Sequence, residues 1–189
     1  MKVSRSLLSV FAMISIAAAL ARAQMDVPAN GSAGLSVKSE GSCVRLSAQM
    51  KAEGVKIRLS GGHRQTFYFR GAEVHEFPEP IKLSISTSAN CTDDPRRPSF
   101  AWPEFAEHLH FSFAWNTSDE ASHSHLVTVK PTQNDAVSPP WREGSSTKEF
   151  WFTIPAKGTP IGSRLNIEVF SGEKLLRTFS VQLGWGLRS

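Results

Sequence analysis

Two His-x-His motifs are the residues whose type and spacing come closest to a metal site. His108-Leu109-His110 and His123-Ser124-His125 each place two imidazoles on one face of an extended segment. Strand-borne zinc or copper sites use such pairs as ligands. The two motifs are predicted at opposite ends of one hairpin, and Ala114 and Val129 stand where a cupin pattern has a glutamate. A metal-binding exported protein is therefore an alternative hypothesis rather than the main one.

Acidic residues in or near predicted loops are the second set that could support chemistry. A glycosidase needs two carboxyl groups facing each other across roughly 5 to 10 Å, a separation that sequence alone does not give. No nucleophile elbow, His-Glu-x-x-His helix, phosphate loop or dinucleotide-binding glycine motif is present. We therefore predict a non-catalytic protein with no cofactor, and keep an extracellular polysaccharide hydrolase as an alternative. Its candidate residues are Asp93, Asp94, Glu104, Glu107, Asp119 and Glu120.

Aromatic residues outside the apolar phase of their strands are the third set. Trp151 alternates with Phe150 and Phe152, so it is predicted on the outer face of a sheet. Tyr68 has a similar setting, and Trp141 stands beside a proline in a predicted loop. Exposed rings flanked by polar groups suit the stacking of apolar sugar faces. Trp151, Tyr68 and Trp141 are thus the predicted ligand-binding residues, against the alternative that a neighbouring loop covers Trp151.

The two cysteines predict a disulfide, because export would place them in an oxidising environment. Cys43 alternates with the apolar residues of its strand, and Cys91 stands among Ser, Thr, Asn and Asp residues typical of a loop. The bridge is therefore predicted at the rim of the fold, where it ties a long loop to the start of a strand. Closing a loop of this length contributes about 4 kcal/mol in the chain-entropy model.

Three Asn-x-Ser/Thr triplets are candidate glycosylation sites. They begin at Asn30, Asn90 and Asn116, all in predicted surface segments. They act as acceptors only if the producing cell is eukaryotic. Sequence alone leaves open whether the source is eukaryotic or bacterial.

Residues 1–23 have the pattern of a signal peptide. Two basic residues precede an uncharged apolar run from Leu7 to Leu20, and Ala21-Arg22-Ala23 is a small-x-small cleavage site. The apolar run of about fourteen residues is shorter than the roughly twenty needed to cross a bilayer. The mature chain is therefore predicted to begin at Gln24, to be secreted or periplasmic, and to have no membrane span.

Removal of the signal peptide changes the charge balance. The full chain has 21 Lys and Arg against 17 Asp and Glu, or +4, and three of the basic residues lie in residues 1–23. The mature chain then has 18 basic and 17 acidic residues, or +1, with no long basic block. Because nucleic-acid binding needs a clustered basic face, we predict no nucleic-acid partner. The expected partner is an extracellular glycan or protein.

Short alternating apolar runs, separated by Gly and Pro, are the elements that must position these residues. They predict about nine or ten strands and little helix, hence an all-β antiparallel sandwich of immunoglobulin-like or jelly-roll type. A flexible leader is predicted over 24–34 and a single domain over 35–189. Pro103 predicts one helical turn near 101–108.

The stretch from Lys148 to Leu183 has the clearest strand pattern. Three alternating runs predict a three-stranded antiparallel unit, and Ser171-Gly172-Glu173-Lys174 predicts a tight hairpin between the second and third. The segment Pro155–Gly162 has too many breakers for a strand to continue. Its Pro160-Ile161-Gly162 approach to the final hairpin resembles the end of many immunoglobulin-like domains, a likeness that covers the last thirty or so residues.

Overall fold

The chain folds into two antiparallel sheets. A computed structural model describes residues 26–39, 42–60, 64–89, 91, 103–118, 123–133 and 147–184, and the predicted signal peptide lies outside them. The predicted all-β sandwich with little helix is confirmed. The elements are β1 (Asp26–Ser39), β2 (Ser42–Ser60), β3 (Arg64–Phe69), β4 (Ala72–Glu73), β5 (Ile81–Ser88), α1 (Glu104–Glu107), β6 (Leu109–Ser118), β7 (Ser124–Val129), β8 (Thr132–Gln133), β9 (Thr147–Ile154), β10 (Arg164–Ser171) and β11 (Lys174–Val181).

The large sheet is built around β2, which has 19 residues. Its strand order is β4-β3-β2-β5-β9-β8, and β1 pairs with the other edge of β2. The first half of β2 pairs with β5, and the second half pairs with β3. Gly54 separates the halves with a φ of 71°, a left-handed conformation that glycine adopts without a steric penalty. One strand therefore serves two different neighbours on the same side.

The small sheet has the order β11-β10-β6-β7 and packs its apolar face against the large sheet. Phe113 of β6 contacts Phe152 of β9 edge to face, with ring centroids 5.0 Å apart. Trp115 is 1% exposed, and its indole Nε1 donates a hydrogen bond to the Pro155 carbonyl at 2.9 Å. A tryptophan in the core needs a hydrogen-bond acceptor for its indole N–H, and the Pro155 carbonyl provides it.

The prediction of a flexible leader over 24–34 is wrong from Asp26 onward. β1 pairs with β2 along its length, from Asp26 opposite Arg58 to Ser39 opposite Ser42. The segment has few large apolar residues, so no apolar alternation indicated a strand there. Pairing with β2 stabilises it as a strand nonetheless. Gly31 also fits a close contact, because a Cβ there would lie 2.2 Å from the carbonyl oxygen of Gln182.

The predicted three-stranded C-terminal unit is also wrong, because its strands lie in different sheets. β9 pairs with β5 and β8 in the large sheet, whereas β10 and β11 form a hairpin in the small sheet. The breaker-rich connection after β9 crosses between the sheets instead of closing a hairpin. The hairpin turn itself is confirmed, with Gly172 at a φ of 56°.

The helical turn predicted near Pro103 is present as α1. Pro103 is its N-cap, with extended backbone angles. Four residues are too few to cross a bilayer, and the described part of the chain contains no helix with the length and apolarity for that.

Candidate functional site

Trp151 lies on the outer face of the large sheet, as its alternation predicts. It is 38% exposed, whereas Phe152 on the same strand is buried and Phe150 packs against the core. Side chains of successive strand residues point to opposite faces, so the two phenylalanines fix the outward direction of the indole. This ring is the largest apolar group on that face of β9.

Small polar side chains form the surface beside Trp151. Ser84 of β5 lies directly opposite the indole, followed by Gln49 of β2 and Ser32 of β1. Neighbouring strands are about 4.8 Å apart, so hydroxyl and amide groups are presented at this spacing away from the ring. The next row of the same face contains Glu149, Ser86, Ser47 and Gly34. The result is a largely polar sheet face with one exposed aromatic ring.

Tyr68 is on the same outer face, but its ring has an internal partner. The Arg58 guanidinium carbon lies 4.4 Å from the ring centroid, and Arg58 Nε donates to Asp26 Oδ1 at 3.0 Å. This hydrogen bond lowers the pKa of Asp26 and raises that of Arg58. Tyr68 faces Lys56, seven residues along β2 from the row of Trp151, which corresponds to about 20 Å.

The aromatic residues predicted to bind ligand thus do not form one cluster in the described part of the chain. Trp151 and Tyr68 share a face but lie far apart along β2, and Trp141 lies outside the described residues. Trp151 is the predicted stacking residue with both an exposed ring and polar neighbours.

The histidine pairs lie at the two ends of β6, and the predicted hairpin of β6 and β7 is confirmed. In the first pair, His108 and His110, the ring of His110 stacks on Phe170 with ring centroids 5.1 Å apart. At the turn near His123, His125 Nε2 shares a hydrogen bond of 2.8 Å with the Thr117 hydroxyl. About seven residues of strand, or roughly 20 Å, separate the pairs. Among the described residues, no three His, Cys, Asp or Glu side chains are placed to hold a metal ion.

Two of the six candidate carboxylates can be located. Glu104 and Glu107 lie on α1, and Glu107 forms an ion pair with Lys148 Nζ at 3.0 Å. The four others, Asp93, Asp94, Asp119 and Glu120, lie outside the described residues. A facing pair of catalytic carboxylates therefore stays a prediction.

The disulfide Cys43–Cys91 is present at the rim, as predicted. It joins the second residue of β2 to the chain just beyond β5, across a sequence separation of 48. The bridge thereby ties two neighbouring strands of the large sheet at one end.

Two of the predicted glycan acceptors lie in strands rather than loops. Asn30 is exposed on β1 and donates to the Pro28 carbonyl at 3.3 Å. Asn116 on β6 is partly buried and accepts a hydrogen bond from the Ser124 hydroxyl. Asn90 lies outside the described residues, and glycosylation of all three stays a prediction.

A pair of lysines next to Trp151 was missed by sequence reasoning. Lys51 of β2 lies directly opposite Lys82 of β5 on the outer face, one row from Trp151. Lys82 Nζ contacts Glu53 Oε1 at 2.9 Å. The hydrogen bond from Lys82 is the main cause of the lowered pKa of Glu53. This register joins residues 31 positions apart, so no local motif could have indicated it.

A cleft lies at another edge of the large sheet. It has a volume of about 240 Å³, between β3, β4 and the chain before β10, with Phe67, Val74 and Ile161 as apolar walls and Arg64 and His75 as polar ones. Typical small-molecule sites begin at roughly 300 Å³. The cleft is therefore a weaker candidate site than the face that carries Trp151.

The fold and the site together define an antiparallel β-sandwich with an exposed tryptophan on a largely polar sheet face. No protein-family model, curated protein sequence or solved structure matches this chain.

Proposed function

We propose that this protein is an exported, non-catalytic carbohydrate-binding module whose site is the outer face of the large sheet. Trp151, 38% exposed beside Ser84, is the observation that carries this proposal. Export is proposed from the signal-peptide pattern of residues 1–23. The ligand is a glycan chain that lies along the sheet, with one sugar ring on the indole.

The physical basis is the match between an indole and a pyranose ring. A sugar has an apolar face of C–H groups and an equatorial rim of hydroxyls. The C–H face packs on an aromatic ring, and the hydroxyls form hydrogen bonds with polar side chains. A single exposed aromatic residue is ordinary on a protein surface. Here the residue opposite it is Ser84, with Gln49 one strand further, and both supply hydrogen-bonding groups beside a ring that is 38% exposed.

The extent of the face favours a chain over a small molecule. Rows of residues in register extend from Trp151 and Glu149 of β9 to β1 across four strands, with Ser and Gln side chains between them. A small molecule gains most from a concave pocket that encloses it. An extended polymer can instead gain from repeated contacts along an extended surface.

The test is a glycan array and a polysaccharide pull-down with the mature chain from Gln24, with tryptophan fluorescence followed during titration. We expect saturable binding with a shifted tryptophan signal. Trp151→Ala should weaken binding by about tenfold, which corresponds to about 1.4 kcal/mol. The stability of that variant should change by less than about 1 kcal/mol, because the ring is exposed.

Tyr68→Ala is the matched control. It also removes an aromatic ring from the outer face, but one on which Arg58 already packs, so binding should be retained. The proposal fails if folded, disulfide-intact protein binds no glycan, or if Trp151→Ala binds as the unmodified chain does. A protein partner would then be the leading hypothesis.

A further inference from the structure

The opposed lysines Lys51 and Lys82 are an unfavourable feature of the sheet face. They are exposed and face each other across β2 and β5 in register. Like charges directly opposite on neighbouring strands destabilise the pairing. The pair therefore raises the free energy of the folded protein, and an anionic ligand bound beside it would reduce the repulsion.

Glu53 offsets this repulsion on one side only. Its carboxylate contacts Lys82 at 2.9 Å, whereas Lys51 has no ion pair with any described residue. Lys51 lowers the pKa of Glu53 only through its charge, as a minor contribution. The ammonium group of Lys51 is therefore the cation of this pair that a ligand can engage.

The lysines are within reach of a sugar on Trp151. Lys82 lies opposite Thr153, two residues from Trp151 on the same face, which is a diagonal separation of about 7–8 Å. Lys51 is one strand further, so its backbone is about 12 Å from that of Trp151. A lysine side chain has a flexible four-carbon stem and can close much of this distance.

The whole face has an excess of positive charge. Among the described strand residues of this face, seven are basic and four acidic, a balance of +3, although the mature chain is close to neutral. The basic residues are Lys38, Arg45, Lys51, Lys56, Arg58, Arg64 and Lys82, and the acidic ones are Asp26, Glu53, Glu73 and Glu149. Charge of one sign on one face attracts polyanions over a distance set by ionic strength.

We propose that the glycan is acidic: one sugar ring stacks on Trp151, and a carboxylate or sulfate of that chain binds the ammonium of Lys51. This inference rests on the proposed function and narrows its ligand to polymers with anionic substituents. Lys82, already held by Glu53, contributes through its charge.

The experiment compares polygalacturonate, dextran sulfate and neutral dextran as probes for the mature chain. We expect at least one of the two anionic polymers to bind more tightly than dextran at low salt, with the preference falling as salt is raised. Preference for the first polymer identifies a carboxylate ligand, and preference for the second a sulfate ligand. Lys51→Gln should reduce affinity for the preferred polymer about two- to fivefold, the range for an exposed ion pair.

Lys56→Gln is the matched control, because Lys56 is on the same strand and face but in the half of β2 that pairs with β3. It should retain the preference for the anionic polymer. Lys51→Gln relieves a repulsion, so its melting temperature should not fall, and lost binding would not reflect unfolding.

The outcomes separate the two proposals. Binding of dextran through Trp151 with no preference for either anionic polymer, or an unchanged affinity in Lys51→Gln, would overturn the acidic-glycan inference and leave the proposed function intact. If the folded protein binds none of the glycans of the array and none of these three polymers, both proposals are overturned.

Discussion

The outer faces of the two sheets differ in the exposed groups that they carry beside their paired polar side chains. On the small sheet, side chains bond each other across strands: Ser112 donates to Glu168 at 2.9 Å, and Ser180 donates to Asn166. On the large sheet, Arg58 likewise donates to Asp26 across β1 and β2, and Lys82 contacts Glu53 across β5 and β2. The large face also carries an exposed indole and opposed lysines, features that internal bonding does not explain.

The contrast indicates where a ligand would gain most. A donor and an acceptor that already bond each other must separate before they can bind a ligand, so these polar pairs offer little net free energy. The groups that the small-sheet face exposes beside them are apolar, Leu126 and Leu175. A ring exposed to water and an unbalanced cation gain from any partner that covers them. The exposed aromatic ring and cation of the large-sheet face therefore favour it as the site of the anionic glycan that we propose.

The largest effect is expected from removal of the disulfide that staples the large sheet. Replacing both Cys43 and Cys91 by Ser should lower the free energy of unfolding by about 4 kcal/mol, because the unfolded chain loses a constraint on a 48-residue separation. Urea denaturation measures this loss. A change below about 1 kcal/mol would show that the bridge does not stabilise the fold.

A smaller effect should separate the faces directly. Ser112→Ala on the small sheet removes the hydroxyl donor of Glu168 and should cost about 1 kcal/mol of stability with no change in glycan affinity. Ser84→Ala, opposite Trp151, should cost less than about 0.5 kcal/mol but weaken glycan binding. Equal effects of the two variants on stability and on binding would contradict the distinction between the faces.

The smallest effect concerns the Asp26–Arg58 pair on the large-sheet face. The pKa of Asp26 is lower in the folded state, mainly because Arg58 donates a hydrogen bond to its carboxylate. Its stabilisation is therefore present above the unfolded pKa of about 3.9 and is lost as pH falls through the folded pKa. Asp26→Asn should be less stable than the unmodified chain at pH 7.

That stability difference should shrink as the pH falls below about 4, because the unmodified chain then also loses its carboxylate. Urea midpoints of both proteins between pH 7 and pH 3 measure it. A difference that stays constant over this range would show that the charge of Asp26 does not stabilise the fold.

Local alternation was sufficient to predict directions of side chains. It indicated that Trp151 points away from Phe150 and Phe152, that Cys43 lies off the apolar face of its strand, and that the fold is an all-β sandwich. Each of these properties depends on a few neighbouring residues, because the strand repeat is two residues.

Properties that depend on pairing between distant segments could not be predicted in the same way. β1 is stabilised by β2 despite its small, polar residues, and β9 leaves the hairpin unit because Pro155–Gly162 crosses between sheets. The opposition of Lys51 and Lys82 requires the register of two strands with no hairpin turn between them. Register follows from the whole buried face, so the local sequence does not specify it.

The length of β2 has a consequence for how the protein opens. Its two halves bond to β3 and β5, and β1 runs along its other side, so each of these strands loses a partner if β2 detaches. Detachment of β2 would therefore disrupt most of the large sheet, so it is not a local opening. In hydrogen-exchange terms, β2 amides flanked on both sides should open only in the global transition, while β4 and β8, with two residues each, exchange through local fraying.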